Sequence, residues 1–168
     1  SLGLHGEQVQ MYPQTPAKPK PKPIVTDGLQ LLNTVQSGYG RITLRVLTPM
    51  HLERRKQRII EPSFADIVYA SLQRIKQVAG LPHKYVFPLD LSGVHDIPTE
   101  LYDLQQHQFV RKRRHKASIR LSGFTGRLSF APVPQAFLPY LQLASVFNLG
   151  RKTTHGFGQM YIEYEALT

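Results

Sequence analysis

The segment Asn148-Leu149-Gly150-Arg151-Lys152-Thr153-Thr154-His155-Gly156-Phe157-Gly158 places three glycines beside an arginine, a lysine and two threonines. Glycine tolerates positive φ and close approach, so backbone amides there can face an anion that bulkier residues would hold away. Arg151 and Lys152 supply charge, and Thr153 and Thr154 offer hydroxyls to phosphate or ribose. Together with Gly150, Gly156 and Gly158, these residue types suit a phosphodiester backbone. The segment lacks the Gly-Lys-Ser/Thr ending of a nucleotide triphosphatase loop, and no strand directly precedes it. The bland alternative is that Gly150 caps a helix while Gly156 and Gly158 shape the entrance to a strand.

A second candidate is the run Arg111-Lys112-Arg113-Arg114-His115-Lys116, continued by Arg120. As a strand or hairpin arm its side chains alternate between two faces and can follow phosphates. As a loop it is a solvated charge run. Three histidines have the chemistry to move a proton beside a phosphate: His155 in the glycine-rich segment, His115 in the basic run, and His51 at the start of a basic stretch. Each reads more readily as an ordinary polar surface residue than as a catalyst, and His155 is the one catalytic candidate retained.

The charge of the whole chain points the same way. Lys plus Arg outnumber Asp plus Glu by 21 to 11, giving +10. No acidic residue lies between Asp103 and Glu163, a stretch that holds Arg111, Lys112, Arg113, Arg114, Lys116, Arg120, Arg127, Arg151 and Lys152. A merely solvated surface mixes signs, so a one-signed half favours a polyanion partner. The absence of cysteine excludes disulfides, thiolate zinc sites and cysteine nucleophiles. No acidic cluster of the kind that holds catalytic magnesium is evident, and no metal or cofactor is expected. No apolar run approaches the roughly 18 residues that suggest a membrane span, so the expectation is a soluble, cytoplasmic chain with no membrane partner. The chain opens with Ser1-Leu2-Gly3 rather than methionine, as a piece of a longer protein would.

These groups need elements to position them. Pro13, Pro16, Pro19, Pro21 and Pro23 alternate with Lys18, Lys20 and Lys22, so residues 1–23 are expected to form an extended tail or linker, followed by one domain over 24–168. Ile42, Leu44 and Val46 alternate with Thr43, Arg45 and Leu47, a strand that Pro49 should stop. The basic stretch 51–62 reads as a loop. Ser63 with Asp66 three residues on resembles a helix cap, and Phe64, Ile67, Val68, Leu72, Ile75 and Ala79 share a helical face that ends at Gly80 and Pro82. Residues 81–105 read mostly as loop. Ala117, Ile119 and Leu121 alternate in a strand, 123–126 should turn, and 127–130 should return as a second strand. A helix over 137–147, with Pro139 in its first turn, and a closing strand through Met160, Ile162 and Tyr164 complete the chain. The order is βαββαβ, an α+β, ferredoxin-like (RRM-like) fold with an antiparallel sheet and a glycine-rich loop between the second helix and the last strand.

The run Gly123-Phe124-Thr125-Gly126-Arg127-Leu128-Ser129-Phe130, the helix after it, and the segment 149–158 resemble the C-terminal domain of CRISPR-associated repeat-RNA endoribonucleases, of the glycine-rich-loop RAMP superfamily. The likeness is strongest over 118–164 and weaker over 42–80. It implies a pair of ferredoxin-like domains that bind a repeat of precursor CRISPR RNA and cut it without metal. A ribose 2′-hydroxyl attacks the neighbouring phosphate and leaves a 2′,3′-cyclic phosphate. The implied partners are CRISPR repeat RNA, other CRISPR-associated proteins or a second copy of the chain. In that family the general acid or base usually lies in the N-terminal domain, and only one domain is readable here. The alternative is a non-catalytic RNA-binding subunit of a CRISPR ribonucleoprotein.

Overall fold

The burial pattern of the first strand already shows how the sheet is covered: Ile42, Leu44 and Val46 are buried while Arg45 and Leu47 on the opposite face are exposed. A computed structural model describes residues 37–113 and 116–167, with the side chains of 113 and 116–117 excepted. The tail or linker expected over 1–23 lies outside these residues, as do Arg114 and His115. Strand β1 (Tyr39–Met50) leads into a small hairpin, β2 (Leu52–Arg54) and β3 (Gln57–Ile59), and then helix α1 (Phe64–Val78). Strands β4 (Thr99–Arg113) and β5 (Lys116–Pro134) follow, then helix α2 (Leu138–Val146) and strand β6 (Met160–Ala166).

The main sheet runs β4-β5-β1-β6 with every pairing antiparallel, the ferredoxin-like arrangement, and the β2-β3 hairpin stands apart from it. The core lies between the even-numbered face of the sheet and the helices. Phe64 of α1 meets Phe130 of β5 edge-on at 5.3 Å between ring centres and meets Phe137 at the same distance. Burying such aromatic and branched side chains supplies roughly 1.5–3 kcal/mol each, the main force holding the helices to the sheet. Helix α1 starts where a full capping box forms: the Asp66 amide donates to Ser63 Oγ at 3.3 Å, and the Ser63 amide donates to the Asp66 carboxylate at 3.0 Å.

Four local expectations are corrected. Pro49 does not end β1; it falls in a register irregularity between Val46 and Met50, where the missing amide hydrogen interrupts no ladder bond. Residues 123–126 do not turn. They are the middle of β5, and a Cβ at Gly126 would overlap the Asp103 backbone, so the glycine permits close strand approach. The partner strand of this hairpin is β4, which begins at Thr99 inside the stretch read as loop. The basic loop also contains the β2-β3 hairpin, turned by Arg55 and Lys56, whose φ angles of 50° and 65° are of the kind that a tight hairpin turn uses.

Candidate nucleic-acid interface

The segment between α2 and β6 is closed on itself and clamped to the end of β1. The Leu149 amide donates to the Gly158 carbonyl at 2.7 Å, the Gly158 amide to the Pro49 carbonyl at 3.0 Å, and the Arg151 amide to the His51 carbonyl at 2.9 Å. These bonds require glycine at two positions. At Gly150 (φ +89°) a Cβ would stand 2.5 Å from the His51 carbonyl oxygen, and at Gly158 (φ +81°) it would overlap that of Leu149. Gly156 (φ +79°) has nothing near it and ends the short turn of 3-10 helix at Thr153–His155. Leu149 and Phe157 are buried and hold the segment down, while Arg151, Thr154 and His155 are exposed and Lys152 and Thr153 half-buried.

Two neighbours fix its polar groups. Arg74, from α1, donates through Nε and Nη2 to the Phe147 carbonyl at 2.9 and 2.8 Å and through Nη2 to Thr153 Oγ1 at 3.2 Å. A cation thereby meets the carbonyl end of α2, where the helix dipole favours it. His51 is buried, with Nδ1 2.6 Å from the Ser122 carbonyl, which can only accept, and Nε2 2.8 Å from Glu53 Oε1. Glu53 Oε2 in turn lies 3.2 Å from Arg151 Nη1. The Arg151 side chain is 66% exposed, so this contact orients the guanidinium without consuming its charge.

The second part of the surface is the β4-β5 arm. Pairing of β5 with β1 stops at Phe124, opposite Met50, whereas β4 and β5 continue together to Arg113 opposite Lys116. Residues 107–113 and 116–123 therefore project about 20 Å beyond the three-stranded part of the sheet. The arm and the glycine-rich segment touch: the Phe109 ring lies 6.1 Å from that of Phe157, and Lys152 Nζ is within 3.5 Å of the Arg120 carbonyl.

The residues singled out from sequence thus fall into one connected region. Gly150, Arg151, Lys152, Thr153, Thr154, Gly156 and Gly158 form the segment, and Arg111 and Arg120 stand exposed on the arm beside it. The backbones of Arg113 and Lys116 pair at its free end, while Arg114 lies outside the described residues. His155 is exposed, and its ring has Thr154 Oγ1 at 3.1 Å as its one hydrogen-bond contact among the described residues. Sequence reading missed Arg74 and the positioning part of His51 and Glu53, because contacts between residues so far apart in the chain leave no periodic signal. Among the described residues, Arg111, Lys112, Arg120 and Lys152 form no ion pair, and no three His, Asp or Glu side chains converge as a metal site requires.

The open face of the sheet is electrostatically different. Arg41 pairs with Glu100 at 2.6 Å and Glu165 at 2.7 Å, Arg45 with Glu163 at 2.6 Å, and Arg127 with Asp103 at 3.4 Å. Hydrogen bonds to Glu100 and then Glu165 push the Arg41 pKa up, and both carboxylates stand against its guanidinium. Among the described residues no helix is long and apolar enough to cross a membrane.

Comparisons with known proteins agree with this architecture. Structural similarity extends to Thermus thermophilus Cas6 (TM-score 0.53, 19% identity, 82% of this chain and 58% of that one). It extends also to a Cas6 product complex (TM-score 0.55, 20% identity, 82% and 56%) and to a Cas6-RT-Cas1–Cas2 complex (TM-score 0.51, 14% identity, 84% and 16%). The chain spans little more than half the length of the separate Cas6 structures it matches. No curated protein matches it. At these identities the structures establish the shared fold. The family model described as CRISPR-associated endoribonuclease Cas6 matches residues 44–160, from within β1 to the first residue of β6 and so across most of the chain. With the sheet order, the helix pair and the segment before β6 all inside that match, the chain belongs to the Cas6 family of CRISPR-associated endoribonucleases.

Proposed function

We propose that this chain is the RNA-gripping domain of an endoribonuclease that cuts precursor CRISPR RNA within its repeats. The observation that carries the reading is the set of cations Arg111, Lys112 and Arg120 on the arm and Arg151 and Lys152 on the glycine-rich segment that touches it. Among the described residues Arg151 alone of these has a carboxylate partner, Glu53. Backbone phosphates would be bound there by charge and by Thr153 and Thr154, with Gly150 and Gly158 keeping the segment closed. Arg113, Arg114 and Lys116 would extend the grip to the tip of the arm. In the complete enzyme a ribose 2′-oxygen attacks the adjacent phosphorus without metal assistance. The bond to the 5′-oxygen of the next nucleotide breaks, leaving a 2′,3′-cyclic phosphate and a free 5′-hydroxyl. The groups that move the protons belong to a part of the enzyme outside this domain.

A specific observation favours a second reading for the chain taken alone. Among the described residues His155, the one catalytic candidate in the segment, lacks the oriented partner that a general base normally has; Thr154 touches it and no carboxylate does. The chain would then hold RNA without cutting it, as a subunit beside other CRISPR-associated proteins or a second copy of itself. Incubation of this chain, and separately of any longer natural form that contains it, with end-labelled RNA of the cognate repeat in excess chelator separates the readings through the longer form. A single cut ending in a cyclic phosphate supports the nuclease, and intact RNA that stays bound supports the module. Equal affinity for repeat and unrelated RNA refutes both.

A further inference from the structure

We propose that Phe109 and His107 form a stacking platform for an unpaired base of bound RNA, an inference that rests on the RNA-gripping reading above. Both residues sit on one face of the arm, two positions apart. Their rings are 6.0 Å apart and nearly parallel, at 19°. Phe109 is 43% exposed, an unusual state for a phenyl ring whose position is fixed on two sides. Phe157, buried in the glycine-rich segment, meets its ring at 71°, and Leu121 lies opposite it across the strand pair. His107 is held by Thr125, whose Oγ1 is 2.7 Å from Nε2. Opposite His107 stands Gly123, whose missing side chain leaves room for Pro49 and the Met50 backbone, and the imidazole is half-buried. The pair is therefore ordered before any ligand arrives, and little conformational entropy remains to be lost on binding.

Charge selects this platform over the other exposed aromatics. Tyr161 (60% exposed) and Tyr39 (58%) lie on the open face of the sheet, where RNA-recognition modules stack bases. Around Tyr161 that face carries Glu100, Asp103, Glu163 and Glu165 in its ion pairs, so a phosphate there would meet carboxylates; the same face continues along β4 to His107 and Phe109, beyond these pairs. On the face of Phe109 the next side chain along the arm is Arg111, while Arg120, opposite Val110, projects from the reverse face and Lys152 reaches the Arg120 carbonyl. A base resting on Phe109 would thus have Arg111 beside its flanking phosphate. Stacking is tolerant of base identity, so the platform confers preference for single-stranded nucleotides at this point, not for a sequence.

An unstructured uridine-rich RNA carrying the fluorescent analogue 2-aminopurine tests this directly, because stacking quenches the analogue. The parent protein should quench it. Phe109→Leu, which keeps an apolar contact to Phe157 and Leu121, should abolish the quench and weaken affinity about tenfold. Phe109→Tyr should restore both, and Tyr161→Leu should change neither. An unchanged thermal midpoint for Phe109→Leu separates lost stacking from lost packing. Binding by the parent without quenching overturns the platform, whether or not any variant folds. So does Phe109→Leu with parental affinity, while a loss of binding on Arg151→Ala with Lys152→Ala leaves the grip standing. Failure of the parent to bind any RNA overturns the RNA-gripping reading and the platform with it.

Discussion

Replacing Gly158 with alanine should open the glycine-rich segment, and the cost can be worked from its surroundings. The φ of +81° places a Cβ in the left-handed region, a penalty of about 1–2 kcal/mol for any L side chain. The added carbon also overlaps the Leu149 carbonyl, which is backbone and cannot rotate away. Relief requires the chain to part at the Leu149-to-Gly158 and Gly158-to-Pro49 hydrogen bonds, now 2.7 and 3.0 Å. Each contributes about 1 kcal/mol net, so the total is about 3–4 kcal/mol. Gly156→Ala is the control: its φ is +79°, nothing lies near its Cβ position, and only the backbone penalty of about 1–2 kcal/mol applies. Equilibrium urea unfolding reads both. With a denaturant slope of about 2 kcal/mol per molar, Gly158→Ala should lower the midpoint by roughly 2 M and Gly156→Ala by less than about 1 M. Equal losses would refute the claim that Gly158 is required by closure of the segment rather than by its dihedral alone.

Further expectations follow from the same contacts. His51→Ala leaves the Ser122 carbonyl and one Glu53 oxygen without their partner, so it should cost about 1–3 kcal/mol in unfolding experiments. It should also weaken RNA binding, because Glu53 then turns fully to Arg151; unchanged binding would remove His51 from the positioning of that arginine. Ser63→Ala should cost about 1 kcal/mol through loss of the α1 cap, with no change in RNA affinity measured at a temperature where the variant is folded. Arg111→Ala with Arg120→Ala should weaken RNA binding without lowering stability, since neither side chain has an ion pair among the described residues. A drop in thermal midpoint equal to the loss of affinity would point to packing instead.

Elements with one buried face were legible in the sequence. The alternation of Ile42, Leu44 and Val46, the helical spacing from Phe64 to Ile75 and the Ser63–Asp66 cap each reflect burial against a single core, and each corresponds to an observed element. Strand β4 was not legible, because as the edge strand it is mostly exposed on both faces and its residues Asp103, Gln105, Gln106 and Gln108 give no period-two pattern. The glycines at 123 and 126 suggested a turn because turns and close strand approaches ask for the same residue; only the position of the Asp103 and Met50 backbones distinguishes them. Arg55 and Lys56 hid the β2-β3 turn, since neither is a residue type that advertises positive φ. At the candidate site, charge and glycine content marked the segment 148–158. Its clamp to His51, its brace by Arg74 and the Phe109–Phe157 contact join residues at least 48 positions apart, and they appear only when the chain is folded.

The central claim is that Arg151 and Lys152 hold RNA phosphates, and the salt dependence of affinity tests it most directly. Dissociation constants for cognate repeat RNA should be measured from low to physiological salt with the parent chain and with the double variant Arg151→Ala, Lys152→Ala. Loss of two phosphate contacts should weaken binding and reduce the slope of log K against log salt by about 1.4, from about 0.7 per contact on a single strand. Parental affinity and an unchanged slope would contradict the account.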